Sequence, residues 1–115
     1  MNNKQSAAAE LKAKMRPFLV GMLNMSTAHI PKLTAIALGE DEGKSGKPEL
    51  WDTLSYVYFH EYGWIVNCSE DAAEAVREHH PELAALIRRC LDVSAAFLKL
   101  DCDADVVPDL QTFEH

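Results

Sequence analysis

The sequence predicts a single small α/β domain, with α+β as the neighbouring alternative, in which helices pack on a sheet of three to four strands. Three observations lead there. Leu83, Leu86, Ile87, Cys90 and Leu91 recur at i, i+3, i+4, i+7 and i+8, which lines one face of a helix. Ala96-Phe97-Leu98-Lys99-Leu100 follows as a short apolar run suited to a buried strand, with Lys99 as the side chain that must reach water. Tyr62 to Cys68 alternates large side chains as a further strand does.

Taken in order, residues 1–17 form an N-terminal tail with a short helix. Ser6 caps it, Leu11 and Met15 share a face one turn apart, and Pro17 ends it. Residues 18–115 form the domain. Phe18 to Met25 is apolar enough for a first strand, although Gly21 weakens it. The polar turn Ser26–Pro31 leads into a helix of Pro31 to Leu38, with Leu33, Ile36 and Ala37 able to face inward. Residues 39–47, GEDEGKSGK, are a flexible loop with nothing to bury.

Between Pro48 and Phe59 two patterns compete. Leu50, Trp51, Leu54, Val57 and Tyr58 have helical spacing, while Tyr56-Val57-Tyr58-Phe59 has strand composition. The expectation is a helix from Pro48 to Ser55, then a strand, with His60–Tyr62 as a hairpin turn. Ser69 suits the cap of a helix of Glu70 to Glu78. Pro81 opens the central helix, with Glu82 near its positive end and Arg88 and Arg89 near its negative end. After the last strand, Asp101–Asp105 turns outward and Val106–Phe113 covers the core as a tail.

Composition bounds the function. A chain of 115 residues, 48% hydrophobic and 25% charged, is long enough to bury a core of its own. It holds no apolar stretch of the roughly 18 residues a membrane span needs. The start MNNKQSAAAELKAK lacks the apolar centre of a secretory signal, so a cytoplasmic location is expected. Cys68, Cys90 and Cys102 lack metal-type spacing and read as free thiols, with no cofactor implied. Residues 1–68 balance 7 acids with 7 Lys/Arg, whereas residues 69–115 carry 11 acids against 4 Lys/Arg, the whole of the net charge of -7. That half is unsuited to direct contact with nucleic acid. Its acidity serves solubility, or it docks on a basic protein partner.

The words STAHIP (Ser26–Pro31), YGWIV (Tyr62–Val66), PELAAL (Pro81–Leu86) and LKLDCDADVVPDLQTF (Leu98–Phe113) occur in an order that resembles a family of small bacterial proteins of unknown function. Its members are found on plasmids and integrative elements of Proteobacteria. The resemblance covers most of residues 18–115 and implies a cytoplasmic accessory protein of a mobile element. It attaches no activity to named residues.

Several clusters invite a chemical reading, each beside a plainer one. Asp101, Asp103 and Asp105 open a D-x-D-x-D run, but Val106 and Thr112 stand where a calcium loop needs glycine and glutamate. A phosphatase-type aspartate motif at a strand end needs a long chain after it, and ten residues follow Asp105. An exposed acidic turn is the plain alternative. Ser26 and His29, with Asp101 to orient the ring, are the candidates for nucleophilic catalysis; otherwise Ser26 or Thr27 bonds local backbone and His29 shields the strand end. Both segments lie at strand ends, where open α/β sheets place ligands, provided their strands run parallel.

His60-Glu61 and His79-His80 lack the spacing of a zinc helix, and the adjacent histidines are expected to be solvated. Trp51, Trp64 and Tyr62, among neighbouring tyrosines, build either core or a partner patch. The candidate binding set is therefore Thr27, His29, Trp51, Tyr62, Trp64, Asp101, Asp103 and Asp105. Three functions fit: a non-enzymatic protein-interaction module, an acidic inhibitor of a nucleic-acid-binding host defence protein, or a small hydrolase or transferase using Ser26 and His29. Either a monomer or a homodimer suits all three.

Overall fold

A computed structural model describes residues 3–40, 48–54 and 57–114 of the chain. Helix α1 (Asn3–Met15) leads through a 3-10 turn (Arg16–Phe18) to strand β1 (Gly21–Ser26) and a second such turn (Thr27–His29). Helices α2 (Lys32–Leu38) and α3 (Glu49–Thr53) precede the strands β2 (Val57–His60) and β3 (Gly63–Asn67). Then come α4 (Glu70–Val76), α5 (Pro81–Asp92) and β4 (Ala95–Asp101). The four strands form one mixed sheet in the order β1-β4-β3-β2. β1 runs parallel to β4, and the other neighbours are antiparallel.

The two-residue period of a strand decides which side is core. Met25, Trp64, Val66, Leu98 and Leu100 lie on one face and are buried. Leu83, Leu86, Ile87 and Cys90 of α5 share their core, as do Ala35 and Leu38 of α2 and Ala73 and Val76 of α4. The opposite face has Met22 and Tyr58 exposed and Ile65, Phe97 and Lys99 half-buried. The expected pairing of the leucine stripe with the 96–100 run is the centre of the molecule.

Ser6, expected to cap the first helix, lies inside it, because α1 already begins at Asn3; the later caps follow the sequence. Ser69 Oγ accepts the Ala72 N–H at 3.0 Å, as the capping pattern predicts. Pro81 takes the first turn of α5 and Glu82 sits beside it. Glu61 and Tyr62 make the hairpin turn between β2 and β3, where a turn was expected.

The differences have local causes. The first strand begins at Gly21, because the turn around Pro17 occupies Phe18 and brings the Leu19 N–H to Arg16 O at 3.1 Å. Phe18, Leu19 and Val20 stay exposed. In α2, Leu33 (76% exposed) and Ile36 (38% exposed) point outward instead of inward. Ala37 faces the core as expected, and Thr34, Ala35 and Leu38 join it in place of Leu33 and Ile36, with the Thr34 hydroxyl 3.0 Å from His80 Nδ1. His80 is accordingly buried rather than solvated, and only its neighbour His79 is exposed. Helix α4 ends at Val76, two residues short of expectation. The greater part of the 39–47 loop, residues 41–47, and the helix-or-strand choice at Tyr56 lie outside the described residues.

Helix α1 stands apart. Every described side chain from Ala7 to Val20 is exposed, and the molecule measures 61 × 27 × 26 Å. A 13-residue helix spans about 20 Å, which accounts for much of the long axis. No helix among the described residues is long and apolar enough to cross a membrane.

Candidate functional site

Parallel pairing of β1 with β4 brings the two singled-out segments to one edge. Ser26 is the register partner of Asp101, Asp101 that of Gly63, and Gly63 that of His60, so one row crosses the whole sheet. Just beyond it, the Cys102 N–H donates to Tyr62 O at 2.9 Å and ties the acidic turn to the hairpin.

The turn is built by Asp101. Its Oδ1 accepts the Asp103 N–H at 2.8 Å, its carbonyl accepts the Ala104 N–H at 3.1 Å, and Lys99 Nζ lies 3.5 Å from Oδ2. The Asp103 N–H above all, with Lys99 and His60 behind it, holds the Asp101 carboxyl below the usual carboxylate range. This aspartate is a turn former. Asp103 and Asp105 are exposed beyond it. The side-chain oxygens of Asp101 and Asp103 and the Cys102 sulfur lie within 4.8 Å of one another. Both Asp101 oxygens are already engaged, which leaves the cluster a poor ligand set.

Ser26 and His29 have other duties. Ser26 Oγ accepts the Ala28 N–H at 3.0 Å and caps the 3-10 turn. His29, 2% exposed, is sandwiched by the C-terminal tail: Nδ1 lies 2.9 Å from Gln111 O, and Nε2 lies 2.9 Å from the Val107 N. The carbonyl needs a donor and the amide an acceptor, so these partners select the neutral ring with its hydrogen on Nδ1. Neither nitrogen is left to take a proton from Ser26. Phe113 N–H to Ala28 O at 2.7 Å completes the clasp. Farther along the tail, Arg89 forks onto Asp109 at 3.1 and 3.4 Å and holds that carboxyl below its usual range.

The aromatic residues divide between core and surface. Trp64 is buried, its ring edge-to-face with Phe59 at 6.4 Å between centroids. Trp51 is 38% exposed and donates from Nε1 to Leu38 O at 2.8 Å, back along the chain from the hairpin. Tyr58, Phe59 and Tyr62 are the exposed rings of the hairpin. A cavity of about 250 Å³ opens here, lined by Thr27, Glu40, Phe59, His60, Tyr62 and Trp64 among others. The structure thus gathers Thr27, Tyr62, Trp64 and the Asp101–Asp103 turn. It leaves His29 under the tail and Trp51 on α3.

Two residues of this edge carried little readable signal. Glu40 is fixed because Gly39 closes α2 at φ 114° and the Glu40 N–H turns back to Ala35 O at 3.0 Å. Gly63 allows β3 to press on β4, since a Cβ there would lie 1.8 Å from Leu100 O. A glycine opening a strand was the one available hint. Two of the thiols, Cys68 and Cys102, are shifted away from the reactive thiolate. A hydrogen bond to Cys90, then burial, pushes the Cys68 thiol up. Partial desolvation, then the Asp103 and Asp101 charges, pushes the exposed Cys102 thiol up.

No curated protein and no solved structure matches the chain. The model of a family of unknown function, the DUF5983 C-terminal domain, matches residues 22–115, from the second residue of β1 to the end of the tail. The match takes in the sheet from Met22 onward and every residue of the edge just described, and on it the chain belongs to the DUF5983 family.

Proposed function

We propose that this domain is a non-enzymatic protein-interaction module, an accessory protein of a mobile element, that docks a basic partner on the sheet edge formed by the hairpin tip and the acidic turn. The observation that carries the reading is the juxtaposition of exposed Phe59 and Tyr62 with exposed Asp103, held together by the Cys102–Tyr62 backbone bond. Aromatic rings beside exposed carboxylates suit a cationic surface: the rings supply contact area and the charges supply steering. Catalysis at Ser26 and His29 is the weaker reading, because it needs an imidazole free to accept a proton and the tail occupies both nitrogens. Inhibition of a nucleic-acid-binding protein is a special case of the same docking, with the acidic edge competing for a surface that nucleic acid would cover.

Immobilised domain should retain a basic partner at low salt and release it as salt rises. The double variant Tyr62→Ala/Asp103→Asn should weaken that retention about tenfold or more, the scale of losing one anchor residue with its charge. Arg77→Ala, just past the end of α4, should leave it unchanged. Retention indifferent to salt, or equal in the double variant, contradicts the proposal.

A further inference from the structure

Within the described residues, four side-chain polar atoms are closed off from solvent without a hydrogen-bond partner, and three of them belong to residues lining the hairpin cavity: Glu40 Oε2, His60 Nε2 and Trp64 Nε1. The fourth, His80 Nε2, lies 3.6 Å from Glu49 Oε1. Buried polar groups are ordinarily paired, so three orphans around one cavity are an unmet demand concentrated in one place.

The demand has a definite character. Lys32 engages Glu40 Oε1 at 2.8 Å and leaves Oε2 as an acceptor. His60 Nδ1 accepts the Tyr62 N–H at 3.2 Å, which puts the hydrogen of the neutral ring on Nε2 and makes that atom a donor. Trp64, 5% exposed, is a donor only. Charge and shape complete the picture. Glu40 and Glu61 flank the cavity, Asp103 stands beside Cys102 at its rim, and the rings of Phe59 and Tyr62 form exposed walls. A volume of about 250 Å³ lies below the roughly 300 Å³ at which drug-sized pockets begin, and suits one long side chain.

We infer that this cavity takes a single arginine side chain of the partner. The proposal rests on the docking reading above and deepens it. The guanidinium donates to Glu40 and lies flat against the Phe59 and Tyr62 rings, which a planar, weakly hydrated cation does better than an ammonium. Carbonyl groups of the peptide on either side of the arginine accept the Trp64 and His60 N–H groups. Because those atoms are covered, entry swings the exposed Tyr62 ring off them and onto the guanidinium. The arginine side chain answers the acceptor and the local negative charge, and only the carbonyl groups flanking it answer the two donors. A nucleotide would bring phosphate against Glu61 and Asp103.

The test uses blocked Gly-Arg-Gly, Gly-Lys-Gly and Gly-citrulline-Gly peptides, titrated into the full chain labelled with ¹⁵N. The chain has two tryptophans, hence two indole N–H signals. The Trp64 signal should move saturably with the arginine peptide as it gains an acceptor. The Trp51 signal, already bonded to Leu38 O, should stay. The lysine peptide should bind more weakly, and citrulline, which keeps the shape and loses the charge, about tenfold more weakly. Glu40→Gln, at a surface ion pair, should fold normally and lose about tenfold in affinity. No movement of Trp64, or equal binding of the citrulline peptide, overturns the inference. Capture of a basic partner that survives Glu40→Gln also overturns it while leaving the docking edge standing.

Discussion

Gly63→Ala should abolish the native fold. The added methyl would sit 1.8 Å from Leu100 O and 2.8 Å from Leu100 C, both backbone atoms of the central strand, at a residue whose φ is 155°. Neither side has room to yield. Gly63 is bonded in register between His60 and Asp101, and Leu100 is held on one flank by Met25 and on the other by Trp64. Relief requires β3 to part from β4 at the edge, so the expected cost exceeds about 4 kcal/mol, a large share of the whole stability of a small domain. The expected observation is loss of cooperative thermal unfolding and of dispersed amide signals. Gly21→Ala is the control: its Cβ would meet Ala95 Cα at 3.3 Å in an edge strand, and a loss of about 1 kcal/mol is expected. A Gly63→Ala protein that melts near the wild type would refute the close approach.

The second large effect belongs to His29→Ala, through the tail. Truncation removes the acceptor of the Val107 N–H and the donor to Gln111 O, and it opens a void where a fully packed ring had been. Two buried hydrogen bonds at about 1 kcal/mol each, together with the cavity, give a loss of about 2–4 kcal/mol. That corresponds to a fall in melting temperature on the order of 10 °C. The loss should be local first, because the tail is held by His29, Ala28 and the Arg89–Asp109 pair while the sheet keeps its own ladder. Amide exchange at Val107 and Phe113 should therefore rise before that of β4, and thermolysin should cut before Val107 or Leu110. His29→Gln, whose carboxamide can still accept from Val107, should fall between the two. Slow exchange throughout the tail of His29→Ala would return His29 to the list of residues free for chemistry.

These two residues mark where the sequence is legible and where it is not. Periodicity is a local property, and what depends on it came through: the α5 stripe, the β4 run beside it, the β3 alternation and the Ser69 cap. The position of the edge also followed, once β1 and β4 are taken as parallel, because the turns after both strands then lie side by side. What depended on distant partners did not come through. His29 meets residues 78 and 82 positions away, and nothing in STAHIP records that the tail returns to it. Leu33 and Ile36 have the right spacing to be core, yet the Thr34–His80 bond turns their helix the other way. Glu40 reads as the start of a charged loop, and only the left-handed turn at Gly39 shows that it faces the hairpin.

The distribution of roles along the edge supports the proposed docking reading. Its titratable groups are spent on structure: Asp101 on its own turn, His29 on the tail and Ser26 on a cap. What remains available is contact surface and charge, in Phe59, Tyr62, Asp103 and Asp105. Such a site depends on shape held in place by the sheet beneath it, which is why Gly63, far from any chemistry, stands at its base.

Mapping the surface touched by a captured basic partner, by titrating it into the ¹⁵N-labelled chain, tests the docking edge most directly. The expected shift changes cluster at Phe59 to Tyr62 and at Cys102 to Asp105, on either side of the Cys102–Tyr62 bond. Changes centred instead on Arg77 and Arg88, just past the end of α4 and within α5, or on Met22 and Phe97 of the open sheet face, would contradict it.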